Sequence, residues 1–197
     1  MLKNGRSFEV PPGHTVAQAL AAGGVAVGSD VLAASVNGKS TDLSAPLTGD
    51  ATVEPLRFDS PEGREVYRHS STHIMAQAVK ELFPTAQLTI GPALEDSFYY
   101  DFAYERPFTP EDLEQIEQRA REIAARNLSV HRREMSKQEA LDFFKANGEQ
   151  YKVELIQGFP DGEPISVYTQ GDFVDLCRGP HVPSTGHVRA FKLLNTA

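Results

Sequence analysis

The sequence predicts an α+β chain built as two units, a small one over residues 1–60 and a larger one over residues 61–197. Three observations predict it: Asn-Gly turn signals on either side of a short capped helix, a Ser-Pro-Glu-Gly boundary at 60–63, and helical stripes alternating with short strand patterns thereafter. At 197 residues the chain is long enough for two modest domains, each with a real core.

In the first unit, Leu2-Lys3, the Asn4-Gly5 turn signal and Arg6 to Val10 predict a hairpin, broken by Pro11-Pro12-Gly13. Thr15 and Gln18 form a T-x-x-Q capping box ahead of Val16, Ala19 and Leu20, and Gly23-Gly24 ends this short helix. Val31 to Val36 meets Asn37-Gly38, a second hairpin signal, followed by Lys39 to Leu43 and a last strand over Ala51 to Leu56. The order is ββαββ. A helix of under three turns buries little alone, so it is expected to pack across one mixed sheet as a small β-grasp (ubiquitin-like) unit.

The second unit opens where Ser60 caps a helix and Pro61 takes its first turn. This helix is expected from about Glu65 to Leu82, stopping before Pro84. Ser97 to Phe102 then reads as a strand with Phe98, Tyr100 and Phe102 on one face and Tyr99 on the other. Thr109-Pro110 starts a second helix whose Leu113, Ile116, Ala120 and Ile123 form a core stripe opposite a charged, solvated face. Ser136 with Glu139 caps a third helix ended by Gly148, and Val153 to Ile156 and Ile165 to Tyr168 read as strands.

Composition narrows the function. A net charge of −8 provides no basic field to draw in nucleic acid, so any RNA contact must be local. The single cysteine, Cys177, excludes an intramolecular disulfide and suits a reducing cytoplasm; no segment reads as a signal peptide or membrane span.

The chemistry concentrates in two motifs more than a hundred residues apart, His69-Ser70-Ser71-Thr72-His73 and Asp175-Leu176-Cys177-Arg178-Gly179-Pro180-His181. Histidines at i and i+4 share a helix face, so both imidazoles reach one site. Gly179-Pro180 argues against a helix between Cys177 and His181, which places that pair on a loop. Taken singly, a histidine pair or a buried cysteine is an ordinary structural feature. Together the two motifs hold four of the seven His and Cys residues of the chain. His14 and His131 have no partner motif, and His187 lies near the last motif without an assigned role.

H-S-S-T-H, I-G-P-A-L-E-D-S-F-Y-Y-D-F, Y-K-V-E-L-I and D-L-C-R-G-P-H-V-P, in this order and spacing, resemble the editing domain of bacterial threonyl-tRNA synthetases. The preceding β-grasp unit resembles the TGS domain that begins those enzymes. H-x₃-H with C-x₃-H alone is shared with alanyl-tRNA editing domains, and the TGS-like unit and D-L-C-R-G-P-H-V-P separate the two. The resemblance implies a proofreading hydrolase for serine mischarged onto threonine tRNA, with the tRNA 3′ end and the remaining synthetase domains as partners. It implies no membrane and a monomeric fragment. The aminoacylation core, with its ATP and its own zinc, and the anticodon-binding domain would follow residues 191–197, so this stretch is expected neither to activate threonine nor to charge tRNA.

For such a reaction His69 and His73 are candidates to orient or deprotonate water. Lys152 either steadies the oxyanion or a water, or is a solvated lysine. Asp175 either receives the serine ammonium or caps a turn, Tyr100 either contacts the terminal adenosine or is core, and Arg178 meets phosphate or a loop ion-pair partner. Cys177 and His181 complete the pocket or, with the two histidines, offer a tetrahedral zinc site. That quartet holds zinc in alanyl editing domains, whereas the threonyl resemblance implies hydrolysis without metal. A zinc-dependent deacylase of another aminoacyl-tRNA and a non-catalytic tRNA-binding or regulatory module are the competing functions.

Overall fold

The Asn37-Gly38 pair acts as its chemistry predicts. In the computed structural model of the protein, which describes residues 7–196, both take positive φ, 51° and 84°, as a two-residue hairpin turn requires. They fold β1 (Val31–Val36) onto β2 (Lys39–Thr41), and β3 (Val53–Arg57) pairs with the other edge of β1. A register shift between Val31 and Ala33 rotates the strand's alternation. Val31 and Ala34 thereby face the core shared with α1 (Val16–Ala22), while Leu32 and Ala33 join the core built on the next helix. The Thr15/Gln18 capping box is complete.

Two expectations for this unit change. The opening hairpin falls largely on residues 1–6, outside the described residues, and residues 7–10 join no strand among those described. All described ladders are antiparallel, in the order β2-β1-β3. β2 stops at Thr41 because Leu43 turns into the core and its carbonyl accepts the Ala17 N–H at 2.9 Å.

Ser60 accepts the Gly63 N–H and caps α2 (Pro61–Leu82), which starts four residues before the expected Glu65. Residues Ser70 to Val79 are buried without interruption, although Ser70, Ser71, Thr72, His73 and Gln77 are polar. The hydroxyls tolerate this because each donates back into its own helix: Ser70 to the Val66 carbonyl, Ser71 to Tyr67 and Thr72 to His69. α2 is therefore a central helix, packed against the first sheet and against α3 (Pro110–Ala125), whose Ile116, Ala120 and Ile123 are buried. The charged face of α3 is not wholly solvated: Glu117 is buried, ion-paired with Lys192 and Arg121, and accepts the Leu193 N–H.

Between α2 and α3, β4 (Gln87–Leu88) pairs with β5 (Phe102–Ala103). The expected Ser97 to Phe102 strand keeps its alternation, Tyr100 buried and Tyr99 exposed, but only Phe102 enters the ladder, because Tyr100 is drawn inward to Asp175. A second antiparallel sheet follows, β6 (Val130–Met135), β7 (Ile165–Gln170) and β8 (Phe173–Leu176) in that order. α4 (Lys137–Ala146), with its Ser136/Glu139 capping box, and α5 (Gln150–Gln157) share with β7 a core of Phe144, Val153, Ile156, Ile165 and Val167. Val153 to Ile156 is thus helical, not a strand. The buried residues of α5 are Lys152, Val153 and Ile156, at helical spacing, and an alternating reading would have buried the half-exposed Leu155. Among the described residues no helix is long and apolar enough to cross a membrane.

Candidate active site

The fold brings the two motifs together from opposite ends of the larger unit. α2 presents His69 and His73 one turn apart with ring centroids 5.5 Å from each other. The loop after β8 delivers His181 between them, its ring stacked on His69 at 4.4 Å and tilted against His73 at 4.1 Å. Cys177 Sγ stands 3.0 Å from His69 Nε2 and 3.2 Å from His181 Nε2. β8 contributes Asp175 and α5 contributes Lys152.

Hydrogen-bond directions fix where the protons lie. Ser70 spends its only proton on the Val66 carbonyl, 2.8 Å away, so its oxygen can only accept from Val182 N–H at 3.0 Å and from His181 Nδ1 at 3.2 Å. Burial holds His181 well below its ordinary pKa, so it is neutral with its proton on Nδ1, and Nε2 accepts the Cys177 S–H. The sulfur, its proton committed, accepts from Gly179 N–H at 3.3 Å and from His69 Nε2–H. Burial also lowers the pKa of His69, so His69 is neutral and its lone pair is on Nδ1.

The second cluster is ionic. Lys152 Nζ lies 2.7 Å from Asp175 Oδ1 and donates to the Tyr100 hydroxyl at 3.1 Å, while that hydroxyl donates to Asp175 Oδ2 at 2.8 Å. The Leu176 N–H adds a third donor to the carboxylate, and His73 Nε2 sits 3.7 Å from Oδ2. Burial opposes ionisation of Asp175, but the charge of Lys152 and these hydrogen bonds outweigh it and hold the pKa below the usual range. Lys152 is 3% exposed, which rules out the solvated reading. It has three donors, of which two are used among the described residues.

Burial drives His73 down to about 3 and pushes the Cys177 thiol up to about 12. His69, His73, Tyr100, Lys152, Asp175 and Cys177 line one open cavity of about 670 Å³, together with Ile90, Leu155, Phe159 and Arg178. Arg178 is exposed, its guanidinium 5.9 Å from the Phe159 ring centre, and makes no ion pair among the described residues. His187 lies apart on a 3₁₀ turn, bonded to Ser184.

The donor set suits zinc. His69, His73, Cys177 and His181 each offer one atom, all within 4.8 Å of one another, and nitrogen and thiolate are ordinary zinc ligands. The sulfur stands closer to both imidazoles than the roughly 3.6 Å expected between nitrogen and sulfur on one tetrahedral zinc, at hydrogen-bonding distance for a protonated thiol.

Sequence reasoning did not single out Ser70, Tyr168 or Asp42. Ser70 lies inside H-S-S-T-H and its serine could be noticed there. Tyr168 donates to Asp42 Oδ2 at 2.6 Å, across 126 positions, a pairing that leaves no trace in local spacing.

Residues 165–197 match the family described as "Threonyl and Alanyl tRNA synthetase second additional domain", a span that includes Asp175, Cys177 and His181. The whole chain is similar to the threonine–tRNA ligase of Symbiobacterium thermophilum, 54% identical over 196 residues, which is 100% of this chain and 30% of that protein. The corresponding ligase of Magnetococcus marinus is 54% identical over 180 residues, 91% of this chain and 28% of that protein. That of Methylococcus capsulatus is 52% identical over 192 residues, 98% and 30% respectively. The chain is therefore similar along its full length to threonine–tRNA ligases, spans about 30% of the length of these relatives, and contains within 165–197 a match to the second additional domain of threonyl and alanyl tRNA synthetases.

Proposed function

We propose that the chain proofreads for a threonyl-tRNA synthetase, hydrolysing the ester that joins serine to threonine tRNA, with residues 1–60 as a TGS accessory unit and residues 61–197 as the editing unit in the cytoplasm. The observation that carries this reading is the convergence of His69, Tyr100, Lys152 and Asp175 on one open cavity. A synthetic site for threonine distinguishes serine only by a missing methyl group, worth about 1–3 kcal/mol. A second site that admits serine and rejects threonine by a clash with that methyl supplies the rest.

In this reading His69 is the base: it is neutral, partly exposed and has its lone pair on Nδ1. His73, fully enclosed and with its pKa near 3, is too weak a base near neutrality and packs against Asp175 and His181. The unused donor of Lys152 holds the attacking water or the tetrahedral oxyanion. A carboxylate has about four acceptor positions; Lys152, Leu176 and Tyr100 occupy three on Asp175, leaving one for the serine ammonium. Tyr100 and Arg178 are assigned to the terminal adenosine and a backbone phosphate of the tRNA 3′ end.

With its pKa near 12, Cys177 is a neutral thiol, which weighs against it as a nucleophile; its part is to hold His69 in one tautomer. Were zinc bound, three of His69, His73, Cys177 and His181 would hold it, and in the remaining position it would supply a water of lowered pKa. In this reading hydrolysis needs no metal, and chelation of purified protein should leave deacylation unchanged. Stoichiometric zinc lost together with activity would establish the zinc-dependent alternative.

The test is single-turnover hydrolysis of Ser-tRNA(Thr). His69→Ala should lower the rate about 10²–10⁴-fold and Lys152→Met about 10²–10³-fold, with the fold and tRNA retention intact. A parent chain no faster than spontaneous hydrolysis would place it among non-catalytic tRNA-binding modules, and variants as active as a hydrolysing parent would remove His69 and Lys152 from the mechanism.

A further inference from the structure

One side chain from the N-terminal unit reaches the wall of the site, and the hydrolysis described above does not use it. Asp42 follows β2 and is buried, 9% exposed. Its own unit fixes the backbone on both sides: Thr41 pairs with Ala34, the Leu43 carbonyl accepts the Ala17 N–H, and the Asp42 carbonyl accepts the Ala45 N–H at 3.1 Å. The carboxylate faces away from that unit. Oδ1 accepts the backbone N–H of His181 at 2.8 Å and Oδ2 accepts the Tyr168 hydroxyl at 2.6 Å.

Both contacts act on the loop that carries Cys177 and His181. The Tyr168 ring packs edge-on against the His181 imidazole at 4.5 Å. Its hydroxyl occupies the space that any side chain at position 179 would need, and Gly179 has a φ of +71°, a conformation open to glycine at no steric cost. Gly179 in turn donates its N–H to Cys177 Sγ. One carboxylate therefore clamps the His181 backbone, the phenol against its ring and, through that phenol, the glycine that anchors the sulfur. Among the described residues no cation is ion-paired to Asp42, so its recorded partners are neutral donors.

We propose that Asp42 is a positioning residue for hydrolysis: from the N-terminal unit it holds the 177–181 loop so that Cys177 and His181 keep His69 in its working tautomer. The catalytic part of this proposal rests on the deacylase reading; the clamp itself does not.

The single cysteine of the chain is a built-in reporter, since a sulfur held by His69, His181 and the Gly179 N–H is shielded from an alkylating reagent until the loop loosens. In the full 197-residue chain, Asp42→Ala should keep its circular dichroism yet react with iodoacetamide at Cys177 about tenfold faster or more. The single-turnover rate on Ser-tRNA(Thr) should fall by about tenfold or more, with half-saturation by tRNA changed less than about twofold. Asp42→Asn should restore both readouts to within about threefold of the parent, because its amide can accept from His181 and donate to the Tyr168 oxygen. Tyr168→Phe removes one contact in place and should show an intermediate acceleration of alkylation, which decides the matter if Asp42→Ala does not fold. An unchanged alkylation rate in Asp42→Ala and Tyr168→Phe, or an Asp42→Asn variant as impaired as Asp42→Ala, would overturn the clamp. A parent chain that does not hydrolyse Ser-tRNA(Thr) would overturn the deacylase reading instead, and the alkylation series would still decide the clamp.

Discussion

At the scale of single residues, the site depends on where four protons sit. Ser70 sets the sequence, because a hydroxyl that has given its proton to Val66 can only accept from His181, and each later group inherits its role. Imidazole ¹⁵N shifts at neutral pH should therefore show His181 protonated on Nδ1 and His69 on Nε2. Ser70→Ala should release His181 from the Nδ1–H form and lower hydrolysis through His69, whereas unchanged shifts in that variant would contradict the proton chain. The candidate residues were legible in the sequence because their types and spacing are chemical: H-x₃-H on a helix and C-x₃-H around Gly-Pro. Their proton directions were not legible, since those come from contacts made across 108 to 112 positions. Lys152 shows the same limit, because nothing in Y-K-V-E-L-I indicates that its ammonium is buried against Asp175.

At the scale of elements, α2 is unusual in burying three hydroxyls and His73 along its middle. The capping signals at Ser60, Thr109 and Ser136 were legible because a cap is local chemistry. The helical state of α5 was not, because a short apolar run reads equally as strand until its burial partners are known. Burial of α2 also makes the fold sensitive to acid. Unfolded histidines take a proton near 6.5, while folding lowers the pKa of His69, His73 and His181, His73 to about 3. Below about pH 6.5 the unfolded state binds more protons, so stability is full above that value and falls as pH drops, by roughly 1.4 kcal/mol per pH unit for each histidine kept neutral. Urea unfolding at pH 7, 6 and 5 should show this loss, well above the range where carboxylates titrate. A flat profile from pH 7 to 5 would show that these imidazoles are not buried as neutral groups.

At the scale of the whole molecule, one side chain joins the first sheet to the loop that carries Cys177 and His181. The first sheet buries one face on α1 and the other on α2, and Asp42 extends from it to the backbone of His181. The Ser60-Pro61 signal was legible as the start of α2, but this contact was not, because the partners lie 139 positions apart. The net charge of −8 implies that the chain alone holds tRNA weakly and that its binding weakens further with salt. Rejection of threonine must then arise in the cavity and not from overall affinity. The most direct measurement compares, under one set of conditions, the single-turnover hydrolysis of Ser-, Thr- and Ala-tRNA carried on threonine tRNA. The account predicts rapid loss of the seryl ester and a threonyl ester hydrolysed at least about a hundredfold more slowly, the discrimination expected of a clash with one methyl against the cavity wall. Equal rates on all three, or no hydrolysis above the spontaneous rate, would contradict it.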